Sequence, residues 1–533
     1  MKKILSVLLA LCLVLAAVPA AGIVVSADET FGDFTYGRMA LSDEIEITGY
    51  NGSSAEITIP SKIGDEDVKA IGGNAFKNNT TITSVEIPST VKTIKYNAFQ
   101  GCEALKSITV PDSVTAIGEY AFDGCSALKT VVIGSGLKKI GRLIFQNCIS
   151  LEKVTLGENV TGINDDSLDA GAFSGCTALS EIVWNDKIET IGDRAFYGCT
   201  ALRSLSIPAS VITIGPSAFS GCTGLNNVNL GINLEKIDAN AFNGCKGIKE
   251  ITLPDSLKTL EYNAFKDCTS LRTVDLGNGL SAMENNVFDG CTALSEVTFG
   301  ANFATIGERA FKDCVALTKI NWGENVSVIG ESAFSGCKGL RALDIPASVK
   351  TIEDYAFNGA EGITEFTLSE GLTSVGVGAF LRCSRIQSVT IPNTVTKMGR
   401  SAFEGCENLK TVNIGMGLTE IPDTAFKNCS AVTAVEIPAN VTTVRDSAFY
   451  GCAAIKTLTL NEGLRIIEDN AFNGCAAVEQ IVIPDTVTEI GDYAFNGVAA
   501  AKKVTLGNSL TTIGRGAFLA CEGLTRVEFP ETV

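Results

Sequence analysis

The sequence predicts a repeat solenoid of 23-residue coils, with a parallel β-sheet along one face and short turns or helical turns along the other. Three observations predict it. The stretch VKTIKYNAFQGCEALKSITVPDS, residues 91–113, recurs with substitutions along nearly the whole chain. The phenylalanine of its Ala-Phe pair falls at Phe76, Phe99, Phe122 and Phe145. From Phe173 it returns every 23 residues through Phe196, Phe311 and Phe449 to Phe518, giving twenty copies with one five-residue slip. The run Leu105-Lys-Ser-Ile108-Thr-Val110 alternates, placing Ile108 and Val110 on one face and Ser107 and Thr109 on the other, as in a short half-buried strand.

Other apolar positions are fixed relative to the phenylalanine. A Val or Leu precedes it by eight residues (Val91, Val114, Leu137) and an Ile by five (Ile94, Ile117, Ile140), while a Cys follows by three (Cys102, Cys125, Cys148) and a Leu by six (Leu105, Leu128, Leu151). Pro111, or Gly134 in the next copy, ends the strand, and Asn97 to Cys102 suits a single helical turn closed by Gly101. One such unit cannot bury its own apolar face, whereas stacked units cover one another. At roughly 4.8 Å per coil, twenty coils make a rod or arc about 95 Å long.

The strand segment L-x-x-V-x-L resembles that of leucine-rich repeats, and the whole unit, with its AFxGCxxL core, resembles the BspA-like leucine-rich repeat of bacterial surface and secreted proteins. The resemblance covers about residues 40–533. It implies an α/β-type leucine-rich repeat arc and a binding role, since relatives are implicated in adhesion to host matrix proteins and neighbouring cells. It identifies a fold more firmly than a biochemical function.

Taken in order, Met1-Lys2-Lys3 is a basic n-region and Ile4 to Ala17 is apolar apart from Ser6, with small residues following to Val25-Ser26-Ala27. This predicts a signal peptide over residues 1–27, cleaved after Ala27, and export to the cell surface or medium. No later segment is long and apolar enough for a membrane span. Residues 28–67 depart from the repeat. Glu44 to Thr48 and Ala55 to Ile59 read as two alternating strands around a turn, and resemble the β cap in front of BspA-like arrays. A cap is expected because the first coil otherwise exposes an apolar end and a strand edge. Residues 68–533 then hold about twenty repeats. The slip lies in Asn164-Asp-Asp-Ser-Leu-Asp-Ala-Gly171, whose Asp165, Asp166 and Asp169 lack a complete calcium-loop spacing with its distal Glu and read as a solvated loop. Val533 stands at the first apolar position of a further coil, so the chain is expected to be cut inside a repeat.

The chain has no histidine, which excludes Ser-His-Asp and Cys-His triads and imidazole metal ligands, and it has no Walker-type loop or G-x-S-x-G elbow. No catalytic residue, cofactor or metal site is expected. With 42 basic and 60 acidic residues the net charge is −18, which argues against nucleic acid and anionic lipid as partners and for solubility of a long exported rod. Seventeen of the eighteen cysteines, Cys102 to Cys521, follow a repeat phenylalanine by three, and Cys314 is typical. Their spacing is the repeat period and no zinc pattern. Three coils carry Asn79, Ala360 or Val498 there, so the position suits a small apolar group, and the cysteines read as a ladder of buried thiols. Trp184 and Trp322 fall at the position of Val110 and read as core.

The candidate binding surface is the exposed face of the sheet, eight and ten residues after each phenylalanine. It carries Glu181, Glu250, Asp275, Glu296, Asn321, Asp344 and Glu365, and none of its forty positions is aromatic. Aromatic and arginine anchors carry most interface energy, so this face is broad and polar, without an evident hot spot. The reading is a secreted or cell-surface binding array with a protein or glycan ligand. The competing reading is a targeting or spacer array for an exported enzyme whose catalytic domain lies beyond Val533.

Overall fold

A computed structural model describes residues 28–39, 42–164, 171–527 and 529–532. The predicted signal peptide, the aspartates of the insert and Val533 lie outside these. The chain is a β-solenoid of twenty coils, numbered here 1 to 20 by their phenylalanines from Phe76 to Phe518, and residues are placed by their offset from that phenylalanine. There is no helix among the described residues.

Nearly every coil contributes to two parallel sheets, where one was expected. The front strand spans positions +8 to +10, as in Ser107–Val110 and Thr130–Ile133, which pair in register from Thr130↔Ser107 to Ile133↔Val110. The back strand is two residues long at positions −6 and −5, as in Thr93–Ile94 and Ala116–Ile117. Between them the turn forms a third ladder, in which the amides of Asn97, Phe99 and Gly101 donate to the carbonyls of Glu119, Ala121 and Asp123 of the next coil.

That turn differs from the expected helical turn. Asn97 (φ 54) and Gly101 (φ 69) both take left-handed backbone, and positions −2 and +2 do so through almost the whole array. Two left-handed residues four apart cannot continue a right-handed helix. The bonds inside the turn run from Gln100 N–H to Asn97 O and from Cys102 N–H to Phe99 O, both 3.1 Å and both three residues long.

The core runs along the axis between the sheets. Phe99, Phe122, Phe196, Phe311 and Phe449 are wholly buried, as are Cys102, Cys125 and Cys314. From Phe76 to Phe518 every phenylalanine ring lies nearly parallel to the next, at centroid spacings of 4.8–5.6 Å and plane angles of 2–13°. Burying each ring contributes about 1.5–3 kcal/mol. Trp184 and Trp322 are half-buried at the core's edge, packed edge-on against Phe196 and Phe334 of the following coil at 5.8 and 6.0 Å.

At the N-terminus β1 (Glu29–Phe31) and β2 (Phe34–Arg38) form an antiparallel hairpin, and β2 pairs antiparallel with β3 (Ile45–Tyr50). The two strands expected around a turn are present as β3 and β4 (Glu56–Thr58), but they do not pair with each other. Residues 45–59 already follow the layout of a coil, so β3 leads the back sheet and β4 the front one. Tyr50 continues the aromatic stack, 5.1 Å from Phe34 and 6.1 Å from Phe76.

The front sheet is not continuous. Its panels hold six, two, four, two, four and two strands. The residue at +12 decides where they part. Of the eighteen steps from Ser84–Glu86 to Lys503–Thr505, eleven enter a coil with Gly, Asn or Ser at +12, and each pairs over three or four residues. Seven enter a coil with proline there. Five of these (Pro208, Pro254, Pro346, Pro392 and Pro484) have no pairing, and the other two (Pro111 and Pro438) keep a single pair. The step from β4 onto coil 1, with Pro88, is the exception and pairs in full.

The ladder's exit bond runs from the +11 amide to the next coil's +10 carbonyl, as from Phe299 N–H to Asn321 O at 3.0 Å, so what proline brings at +12 is bulk: its ring holds the strand exit off the preceding coil. Glycine at +12 lies close against it, and at coil 10 there is no room for more: a Cβ on Gly300 would stand 1.7 Å from the carbonyl oxygen of Gly277. At the five full openings the inward-facing +9 residue (Ile182, Val228, Ile320, Phe366, Leu458) is only half-buried, whereas it is buried in every other coil from 1 to 19.

Candidate functional site

The seven candidate residues all lie on front strands, and the structure separates them into engaged and free side chains. Glu181 is exposed and ion-paired to Lys153 of the previous coil at 2.6 Å. Glu250, Asp344 and Glu365 are exposed, each at one end of its strand. Asp275 is exposed and accepts the amide of Gly277 at 3.0 Å, so part of its carboxylate serves the strand exit.

Glu296 and Asn321 depart from the expected free display. The Glu296 carboxylate accepts from Lys319 Nζ at 2.6 Å and Asn321 Nδ2 at 2.7 Å, and Asn321 Nδ2 also reaches Thr298 Oγ1 at 2.9 Å. Both Glu296 and Asn321 are half-buried. The hydrogen bonds from Lys319 and Asn321 hold the Glu296 carboxyl below its ordinary range. Of the seven residues, only this pair is brought together. Adjacent coils align the same strand position, which links Glu296 to Lys319 and Asn321 on the next strand. A signal for it was present in the sequence as Glu296 and Lys319, 23 residues apart.

The cysteine column has a role that size alone did not reveal. All seventeen thiols are free and buried, and each Sγ donates to the carbonyl oxygen of the previous coil's phenylalanine at 3.0–3.4 Å. Burial pushes these thiols up, Cys222 and Cys452 to about 12.

The sequence reading also passed over the aromatic side chains in solvent. Seven of the nine tyrosines lie on the turns, between positions −3 and +1, and Tyr96, Tyr197, Tyr262 and Tyr450 are exposed. No helix among the described residues is long and apolar enough to cross a membrane.

Among solved structures, a leucine-rich repeat protein from Bacteroides ovatus is 25% identical, covering 81% of this chain and 100% of its own at a TM-score of 0.59. A leucine rich cell surface protein from Faecalibacterium prausnitzii is 21% identical over 90% of this chain and 94% of its own, with a TM-score of 0.25. One from Eubacterium ventriosum is 20% identical over 64% and 97%, with a TM-score of 0.37. Comparison with curated proteins finds no match. The family described as BspA type leucine rich repeat region matches overlapping stretches over residues 50–170, 166–246, 223–341, 304–433 and 419–533. With that match running from residue 50 to residue 533, and with coils of the same period and core, the chain belongs to the BspA type leucine rich repeat family.

Proposed function

We propose that the protein is a secreted or cell-surface binding array, acting by adhesion and not by catalysis, and that its front strand face meets a protein or glycan ligand. The observation that carries this reading is the face itself: a row of mostly polar side chains at one spacing over coils 1 to 19, of which Glu250, Asp344 and Glu365 form no ion pair with any described residue. Many weak contacts made together along such a row give avidity without a single hot spot. The acidic surplus, −18 over the chain, favours a ligand with basic patches, steered by charge and weakened by salt. Residues 28–67 cover the N-terminal end as a cap. Export rests on the N-terminal signal.

The test is retention of matrix proteins and glycans by the purified protein, beside a Glu250→Lys, Glu365→Lys variant. Glu296 stays out of the variant because Lys319 and Asn321 hold it. Retention that falls in the variant and at raised salt supports the reading. Retention of no ligand overturns it and leaves a spacer or targeting arm.

A further inference from the structure

The step from coil 15 to coil 16 differs from every other step in the array. The front ladder there is reduced to one pair, Thr411↔Ala434. The back ladder is absent, since the sheet that ends at Lys397–Met398 does not reach Glu420–Ile421. The back ladder also lapses at the steps from coil 3 to 4 and from 9 to 10, but there the front ladder is complete. Coil 16 alone carries a proline on each ladder, Pro422 after its back strand and Pro438 after its front strand. In most coils the residue at −4 donates its amide to the previous back strand, as Gly118 does to Ile94 O, and Pro422 has no amide to give. The Phe403–Phe426 ring spacing, 5.6 Å, is at the top of the range.

The parted front strands leave a cleft of about 370 Å³ on the binding face. This is at the low end of the usual range for small-ligand pockets, about 300–1,000 Å³. Val412, Ile414, Met416 and Pro438 make its apolar walls, and Asn413, Glu436 and Asn461 its polar rim. Met416 is 58% exposed, so an apolar side chain stands uncovered at the lip. Glu436 accepts from Asn461 Nδ2 at 3.0 Å, and no Lys or Arg among the described residues pairs with it. Asn413 is turned away to Thr390 Oγ1 at 3.1 Å.

We infer that this cleft seats one lysine or arginine side chain of a protein partner, its methylene stem against Met416, Ile414 and Pro438 and its cation at Glu436. A long basic side chain has the matching division into an apolar stem and a charged head. The Glu436 carboxylate, with no cation paired to it among the described residues and in a chain of net charge −18, supplies the complementary charge. The inference rests on the front face being the binding face and names one contact within it.

The probe is a fluorescein-labelled hexalysine peptide, with its fully acetylated form and a neutral oligosaccharide as comparisons, read by anisotropy on the purified protein. Glu436→Gln should weaken hexalysine binding at least fivefold. Pro438→Gly, which gives coil 16 the residue found at most sealed steps, should do the same by closing the cleft. Ala439→Trp fills the cleft without altering the ladder and serves if Pro438→Gly misfolds. Glu407→Gln removes the same charge from a turn of coil 15, away from the cleft, and should change binding less than twofold.

Equal weakening by Glu436→Gln and Glu407→Gln would overturn the inference in favour of a diffuse field. Unchanged binding in both cleft variants, no binding by the native protein, equal binding of the acetylated peptide, or cleft-dependent binding of the oligosaccharide alone would also overturn it. Matrix-protein retention that survives in Pro438→Gly while hexalysine binding proves independent of the cleft would sink this inference and leave the broader function standing.

Discussion

The thiol of Cys314 donates to the carbonyl oxygen of Phe288, 3.3 Å away in the previous coil, and the same oxygen already accepts the amide of Cys291 at 3.2 Å. The sulfur therefore completes a buried carbonyl that the turn leaves half-served. Cys314→Ala removes that bond and a little volume, and should cost about 1–2 kcal/mol. Denaturant unfolding followed by exchange of the coil 10 to 12 amides measures it. A neutral result would mean that size alone selects the residue.

The thiols should also tie stability to alkaline pH. Burial raises their folded-state values from an ordinary 9.0, to about 12 for Cys222 and Cys452. Above pH 9 the unfolded chain releases protons that the folded chain keeps, so ν_U falls below ν_N and stability drops as pH rises towards 12. Thermal melts from pH 8 to 11 should show falling Tm, with a shallower slope in Cys222→Ala. Alkylation at neutral pH should label the seventeen only after denaturant is added. A flat pH profile, or rapid native labelling, contradicts this.

Phe311→Ala should cost about 3–5 kcal/mol, because the ring is fully buried between Phe288 and Phe334 at 5.3 and 5.2 Å. Nearest-neighbour stacking confines the loss to the coils around it. Hydrogen exchange should lose protection in coils 10 to 12 first, and uniform loss from coil 1 to coil 20 would refute the local picture.

Pro346→Gly should close the gap between Lys319–Asn321 and Ala342–Asp344, protecting the Trp322 amide from exchange. The reverse logic applies at a sealed step. Gly300→Ala drives a Cβ into the Gly277 carbonyl and should destabilise by about 1–3 kcal/mol. Unaltered exchange at Trp322, together with an unaltered melt for Gly300→Ala, would separate the ladder from the residue at +12.

The period, the phenylalanine column and the front strand were legible because each repeats with an apolar side chain at a fixed offset. The back sheet was not, since two residues such as Thr93–Ile94 are too short to show alternation. The turn misled because Asn97 to Cys102 has helical length, while its two left-handed residues are set by contacts with the next coil. Pro111 and Gly134 were visible as strand ends, but what they do depends on the coil behind them. Glu296 looked free because alternation gives the side chain's face and not its neighbours, and Lys319 stands one coil away. The cleft at Glu436 needs three coils at once.

The partition of the front sheet also bears on how so repetitive a chain finds its order. Near-identical units invite a newly formed coil to dock on the wrong neighbour, a known failure of repeat proteins. Beyond coil 1, a coil with proline at +12 gains little or no front ladder from the coil before it, whereas one with glycine gains three or four pairs. Skipping a coil therefore sets proline where glycine belongs in many places along the array. The irregular spacing of the seams gives each stretch of otherwise interchangeable coils an address.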